Sequence, residues 1–204
     1  MTILAINKWA SNADLIADCA RLGYLDESWR VLDPTYGYGT FWQVWRPKRL
    51  IGFDIDPAKS LTGYSVDFTD LPMEDRQVDA VVFDPPYKLN GNPSDTAGMD
   101  ERFGVHTYTG WRDRMDLIRR GARECARVAD RHLLVKCQDQ VVSGKIRWQT
   151  RVIAEEVEAL GFGQRDRFDF LSYRAQPPGR KQNNAHRCSS QLLVFERGWK
   201  WRDA

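Results

Sequence analysis

Cysteine and histidine are too few and too scattered in this 204-residue chain to build a disulfide framework or a metal centre. The four cysteines, Cys19, Cys125, Cys137 and Cys188, contain no Cys-x-x-Cys pair, and His186-Arg187-Cys188 is the only His/Cys neighbourhood. This pattern leads to reduced thiols in a cytoplasm and to no metal. No apolar run approaches the ~20 residues of a membrane span. The N-terminal MTILAINKWASNAD lacks the apolar core and cleavage site of a secretory signal. No internal repeat and no second domain is visible, so residues 1–204 read as a single domain. With 28% charged and 42% hydrophobic residues, the chain can bury one full core.

The net charge of +2 hides an asymmetry. Residues 1–87 hold eight Lys/Arg against 13 Asp/Glu, whereas 88–151 hold 13 against eight and 165–204 hold nine against four. Basic residues gathered beyond Tyr87 suit a polyanion docking at one side of the molecule. The arginines at 119, 120, 123 and 127 are set apart from that reading, as an ordinary solvated helix face.

Apolar runs alternate with helical pieces. Ser11 or Asn12 caps a helix over 13–22 that stops at Gly23. Strands are expected over 29–33, 50–54, 64–67, 80–83, 132–136, 168–173 and 191–195, and helices at 41–45, 111–128 and 147–160. Asp56-Pro57 opens a further helical turn. The alternation predicts a doubly wound α/β fold with a mostly parallel seven-stranded sheet and an antiparallel last strand. The first four strands end on Asp33, Asp54, Asp67 and Asp84. Ligands in such sheets bind beyond the carboxyl ends of the strands, so four carboxylates would face one crevice.

Two stretches carry the chemistry. Ala80-Val81-Val82-Phe83 is a strand buried on both faces, and it stops on Asp84-Pro85-Pro86-Tyr87. Paired prolines make a rigid turn with free carbonyls and no N–H. A carboxylate, such carbonyls and a ring suit a planar group with an amino edge. Upstream, Asp33-Pro34-Thr35-Tyr36-Gly37-Tyr38-Gly39-Thr40 joins a strand to the helix expected at 41–45. Its glycines let a ligand lie close to the backbone. The position of a third fingerprint glycine is Trp42, so a dinucleotide site is not indicated.

With those residues quoted, the chain resembles the S-adenosylmethionine-dependent amino-methyltransferases, which methylate exocyclic amines of bases in DNA. Gly52-Phe53-Asp54-Ile55-Asp56 and Asp67-Phe68-Thr69-Asp70-Leu71-Pro72 are similar to the family's intermediate motifs. The likeness is close over 33–87. It is looser through 133–137 to His186 and 192–195, which are similar to the tail of small phage and bacterial members. The resemblance implies a class I methyltransferase, Rossmann-like fold. It implies that Asp33, Gly37 and Gly39 hold the methionine part of the cofactor, Asp54 the ribose, and Asp67 with Phe68 the adenine. Thr35, Thr40 and Ile55 join them as cofactor-binding residues, and Lys8 resembles an N-terminal cofactor motif. Asp84, Pro85, Pro86 and Tyr87 would be catalytic. The Asp-Pro-Pro-Tyr form is typical of adenine N6 methylation, whereas cytosine N4 enzymes more often begin with Ser. The family's separate target-recognition domain has no counterpart, which leaves loops 88–110 and 174–190 facing the substrate.

An aromatic amine is a poor nucleophile because its lone pair is delocalised into the ring. Acceptance of its hydrogens by the Asp84 carboxylate and the Pro85 carbonyl would localise that pair and stabilise charge developing on nitrogen. The base must leave the duplex to reach them, and Tyr87 is a stacking platform. Lys88, Arg180, Lys181, His186 and Arg187 would neutralise phosphates. Three alternatives stay open: cytosine N4 methylation, an RNA methyltransferase acting on adenine N6 or guanine N2, and an inactive nucleic-acid-binding protein of the same fold. A homodimer and a restriction partner also stay open.

Overall fold

The structure, a computed structural model, describes residues 9–89, 110–171, 184–185 and 188–200. Ser11 caps α1 (Asn12–Arg21), its hydroxyl accepting from the Asp14 N–H, and Gly23 leaves the helix with φ of 83°. In chain order follow β1 (Arg30–Asp33), β2 (Arg49–Gly52), β3 (Val78–Phe83), α2 (Trp111–Val128) and β4 (Ala129–Cys137). Then come β5 (Gln140–Val142), β6 (Lys145–Arg147), α3 (Gln149–Glu158), β7 (Phe162–Leu171) and β8 (Ser189–Arg197). The main sheet runs β2-β1-β3-β4-β8-β7. Its first four strands are parallel, and β8 lies antiparallel between β4 and β7.

Strand β3 shows why the sheet sits at the centre. Its side chains alternate between two apolar faces, as the period of two requires. Val81 and Phe83 join Leu133, Val135, Ile118 and Ile153 on the α2/α3 side. Ala80 and Val82 join Leu134, Val194, Leu15 and Ile16 on the α1 side. Phe83 is fully buried, and its truncation to Ala in such a core costs about 3–5 kcal/mol. Helices on both faces give the doubly wound architecture expected. No helix among the described residues is long and apolar enough to cross a membrane.

Three local expectations are corrected. The sheet has six strands rather than seven, because residues 64–67 make only an isolated parallel bridge between Ser65 and Asp54. Val66 is the one buried residue of that segment, and Tyr64 is 74% exposed, so a fuller edge strand would cover little apolar surface. The helix expected at 41–45 is a single 3₁₀ turn, Thr40–Trp42. After Asp56-Pro57 the chain makes turns, with Lys59 N–H donating to the Asp56 carbonyl, and no helix.

Candidate functional site

Strand β1 lies between β2 and β3, so the chain reverses its winding where the ends of β1 and β3 meet. Such a switch point leaves a crevice beyond the strands. A cleft opens there, lined by Asp33, Thr35, Gly37, Thr40, Lys59 and Asp84 among others.

Asp33 is buried and held on both oxygens. Trp42 Nε1 donates to its Oδ2 at 2.8 Å, and the Thr35 N–H and hydroxyl reach Oδ1 at 2.9 and 3.2 Å. Burial nevertheless pushes its pKa up to about 6 against those hydrogen bonds, with a further push from Asp54. The Thr35 hydroxyl also accepts from the Asp84 N–H at 3.0 Å and so ties the two strand ends together. In the loop between, Gly37 and Gly39 have φ of 55° and 64°. A Cβ on Gly39 would come within 2.5 Å of the Tyr36 hydroxyl, so this glycine makes room for Tyr36.

Asp84 presents the opposite situation. Its Oδ1 is buried and has no hydrogen-bond partner among the described residues. Burial pushes its pKa up to about 7, opposed by the Lys136 charge and reinforced by Asp33. Lys136 is 1% exposed. Its ammonium donates to Asn12 Oδ1 at 2.7 Å and lies 4.6 Å from the centre of the Phe170 ring. Burial lowers its pKa, while Asp84 works the other way.

The exit of the Pro-Pro turn is clamped. The Tyr87 carbonyl accepts from Gln140 Nε2 at 2.7 Å and from Gln149 Nε2 at 3.0 Å. Gln140 Oε1 takes the Leu89 N–H at 3.0 Å, and Gln149 Oε1 takes the Gln138 N–H at 2.9 Å. Both glutamines are buried, and each amide is used at both ends. Pro85 is buried, and Tyr87 is half-buried against the α2/α3-side core.

The other expected site residues are not among those that line this cleft. Asp54 is buried behind the loop, with Oδ2 accepting from the Gly37 N–H at 3.0 Å and Oδ1 from the Asp56 N–H at 2.9 Å. Each oxygen keeps a second lone pair. Ile55 is exposed, and Asp67 is exposed with Oδ1 accepting from the Thr69 N–H. The Phe68 ring packs edge-on against Phe83, with centroids 5.2 Å apart. Lys88 is half-buried, and its carbonyl accepts from Arg114 Nη1 at 3.1 Å. Lys8, Arg180, Lys181, His186 and Arg187 lie outside the described residues, as do most of loops 88–110 and 174–190. Trp42, Lys136, Gln140 and Gln149 escaped the sequence reading. Trp42 was visible only as the residue that breaks a glycine fingerprint. Ser143-Gly144, with φ of 50° and 73°, is the turn signal that could have revealed the β5–β6 hairpin.

No protein-family model matches the chain, and no curated protein matches it either. Solved structures do. Magnesium protoporphyrin IX methyltransferase ChlM from Synechocystis PCC 6803, with bound SAH, aligns at a TM-score of 0.57 and 13% identity, covering 91% of this chain and 81% of that one. A provisionally assigned RNA methyltransferase, PH1948 from Pyrococcus horikoshii, aligns at 0.54 and 14%, covering 91% and 82%. A SAM-dependent methyltransferase from Methanosarcina mazei aligns at 0.50 and 9%, covering 87% and 96%. The fold is that of the class I methyltransferases. Proteins of this shape carry names as unlike as a porphyrin methyltransferase and a provisionally assigned RNA methyltransferase, so the shape alone does not choose a substrate.

Proposed function

We propose that the chain is an S-adenosylmethionine-dependent methyltransferase that modifies the exocyclic N6 amine of adenine in DNA after base flipping. The observation that carries this reading is the Asp84 carboxylate. It has a buried acceptor oxygen without a partner among the described residues, it begins a rigid Pro-Pro turn, and it lies on the cleft that Asp33 and the glycine loop also line. An acceptor kept dry without a partner costs stability, about 1–3 kcal/mol for an ordinary polar group. That cost has a reason if a substrate N–H completes it.

The cleft fits the cofactor's chemistry. Asp33 and Lys59 offer opposite charges to an amino acid moiety, and Asp54 keeps lone pairs beside the loop. The cofactor, when bound, supplies an electrophilic methyl group. Asp84 Oδ1 and the Pro85 carbonyl would accept the amine hydrogens and localise its lone pair, and Asp84 is poised to hold the proton that the nitrogen loses. Tyr87, braced through its carbonyl by Gln140 and Gln149, would carry the flipped base.

The test is transfer of labelled methyl to DNA and to RNA by wild type and by Asp84→Ala, with the modified nucleoside identified by mass. N6-methyladenine in DNA with wild type and none with the variant is expected. N4-methylcytosine, or a product in RNA alone, would replace the base or the polymer. Wild type that binds the cofactor and modifies neither polymer would remove the reading.

A further inference from the structure

The β5–β6 hairpin stands directly on the Asp-Pro-Pro-Tyr turn. Gln140, which opens β5 and holds the Tyr87 carbonyl, pairs with Arg147 at the end of β6. Arg147 stacks on the Trp111 ring at 3.8 Å from its centre, and Arg112 lies over the same ring at 4.7 Å. Trp111 opens α2, whose Arg114 binds the Lys88 carbonyl just beyond Tyr87. Lys145 and Arg112 are exposed, and so is Trp148 beside Arg147.

The neighbouring arginines are handled differently. Arg119 and Arg123 both bind Glu156, Arg127 binds Glu124 and Asp75, and Arg151 binds Glu155. Among the described residues, no carboxylate lies within ion-pairing distance of Arg112, Lys145 or Arg147. The fold therefore ion-pairs the cations far along α2, whereas the cluster beside the turn makes no ion pair among the described residues. Guanidinium groups stacked by their faces keep their edge donors for phosphate oxygens. The exposed Trp148 indole beside them adds stacking surface for bases.

We infer that Arg112, Lys145 and Arg147, mounted on Trp111 and the β5–β6 hairpin, form a docking surface for the phosphate backbone of duplex DNA beside the site of base flipping. This inference rests on the nucleic-acid reading of the site, and adds a surface distinct from the two loops expected from the sequence. Asn184, in the described part of the second loop, donates to the Gly144 carbonyl at the hairpin turn.

Anisotropy titration of labelled duplex DNA across a salt series tests it, using the full chain. Arg112→Gln/Lys145→Gln/Arg147→Gln should weaken binding by roughly tenfold or more and lower the salt slope by about 3. Arg112→Glu/Lys145→Glu, both at exposed positions, should also weaken it, and Arg151→Gln should leave it unchanged. Cofactor binding by calorimetry should be the same in all. Wild type that binds and methylates DNA while both multiple variants keep its affinity and slope would overturn the surface and leave the function standing. A loss confined to RNA, with DNA binding intact, would also overturn it. Wild type that binds cofactor but neither binds nor methylates any nucleic acid would overturn both.

Discussion

Asp84 and Lys136 follow directly on a pair of register partners, Phe83 and Val135, at the ends of two adjacent parallel strands. The alternation of side chains puts both on the α1 face of the sheet. A carboxylate and an ammonium, with pKa values shifted by burial and each opposing the other's shift, therefore occupy neighbouring strands, the carboxylate lining the cleft and the ammonium buried beneath the surface. Ionisation of Asp84 is the quantity this pair controls.

With a pKa near 7, Asp84 sets a pH dependence of both rate and stability. If the ionised form accepts the amine, methyl transfer falls as pH drops below about 7. The stability effect has the opposite sense. A carboxyl raised by burial favours folding while neutral, fully so below its ordinary value of 3.8, and that contribution is lost as pH rises through about 7. Asp84→Asn is uncharged throughout. It should melt on the order of a few degrees above wild type at pH 8 and no higher near pH 4. Its transfer rate should fall roughly 10²–10³-fold. Thermal melts across pH and single-turnover assays check both.

Lys136→Met removes the cation that faces Asp84 and leaves Asp33 as its charged neighbour. The acid limb of the rate profile should move up by roughly one pH unit or more, because an adjacent opposite charge is worth that much to a carboxylate. The rate at high pH should survive. A variant that loses activity equally at every pH would show a merely structural role for Lys136.

Gln140 makes bonds to the Tyr87 carbonyl, the Gln138 carbonyl and the Leu89 N–H. Gln140→Leu keeps the bulk, strands the Leu89 N–H and leaves the Tyr87 carbonyl with Gln149 alone, at about 1–3 kcal/mol for a group left buried without a partner. Denaturant unfolding should show that loss. Transfer should fall further than cofactor affinity does, because the clamp holds the base side of the cleft and not the glycine loop.

Trp42→Phe deletes the donor on Asp33 Oδ2 and keeps the ring's packing in place. Asp33, already at about 6, should rise further and be partly neutral at pH 7. Cofactor affinity should weaken roughly tenfold at that pH, the size of one hydrogen bond to a charged group. Titration calorimetry at pH 8.5 should recover much of it. Equal weakening at both pH values would contradict the role given to Trp42.

Local signals in the sequence determined the elements and their order. The runs expected at 29–33, 80–83 and 132–136 fall within or overlap observed strands, 80–83 being apolar enough to be buried on two faces, and Ser11 and Gly23 bound the first helix. The same local reasoning put Asp33 and Asp84 at strand ends and the rigid turn after Asp84, since burial, turn chemistry and period are properties of neighbours in the chain. Only the tertiary structure decided how those carboxylates are held. Trp42 is nine residues from Asp33, Gln140 and Gln149 are 53 and 62 residues from Tyr87, and Lys136 binds Asn12 across 124 residues. Hydrogen bonds of that span leave no periodicity in a sequence, because any side chain with the right donor serves wherever the fold delivers it. The same holds for Arg112, Lys145 and Arg147, which make no ion pair among the described residues because α2 and α3 place their glutamates elsewhere. The strand count failed for a related reason. Whether residues 64–67 join the sheet depends on what lies against its edge, and only one of their side chains is buried there.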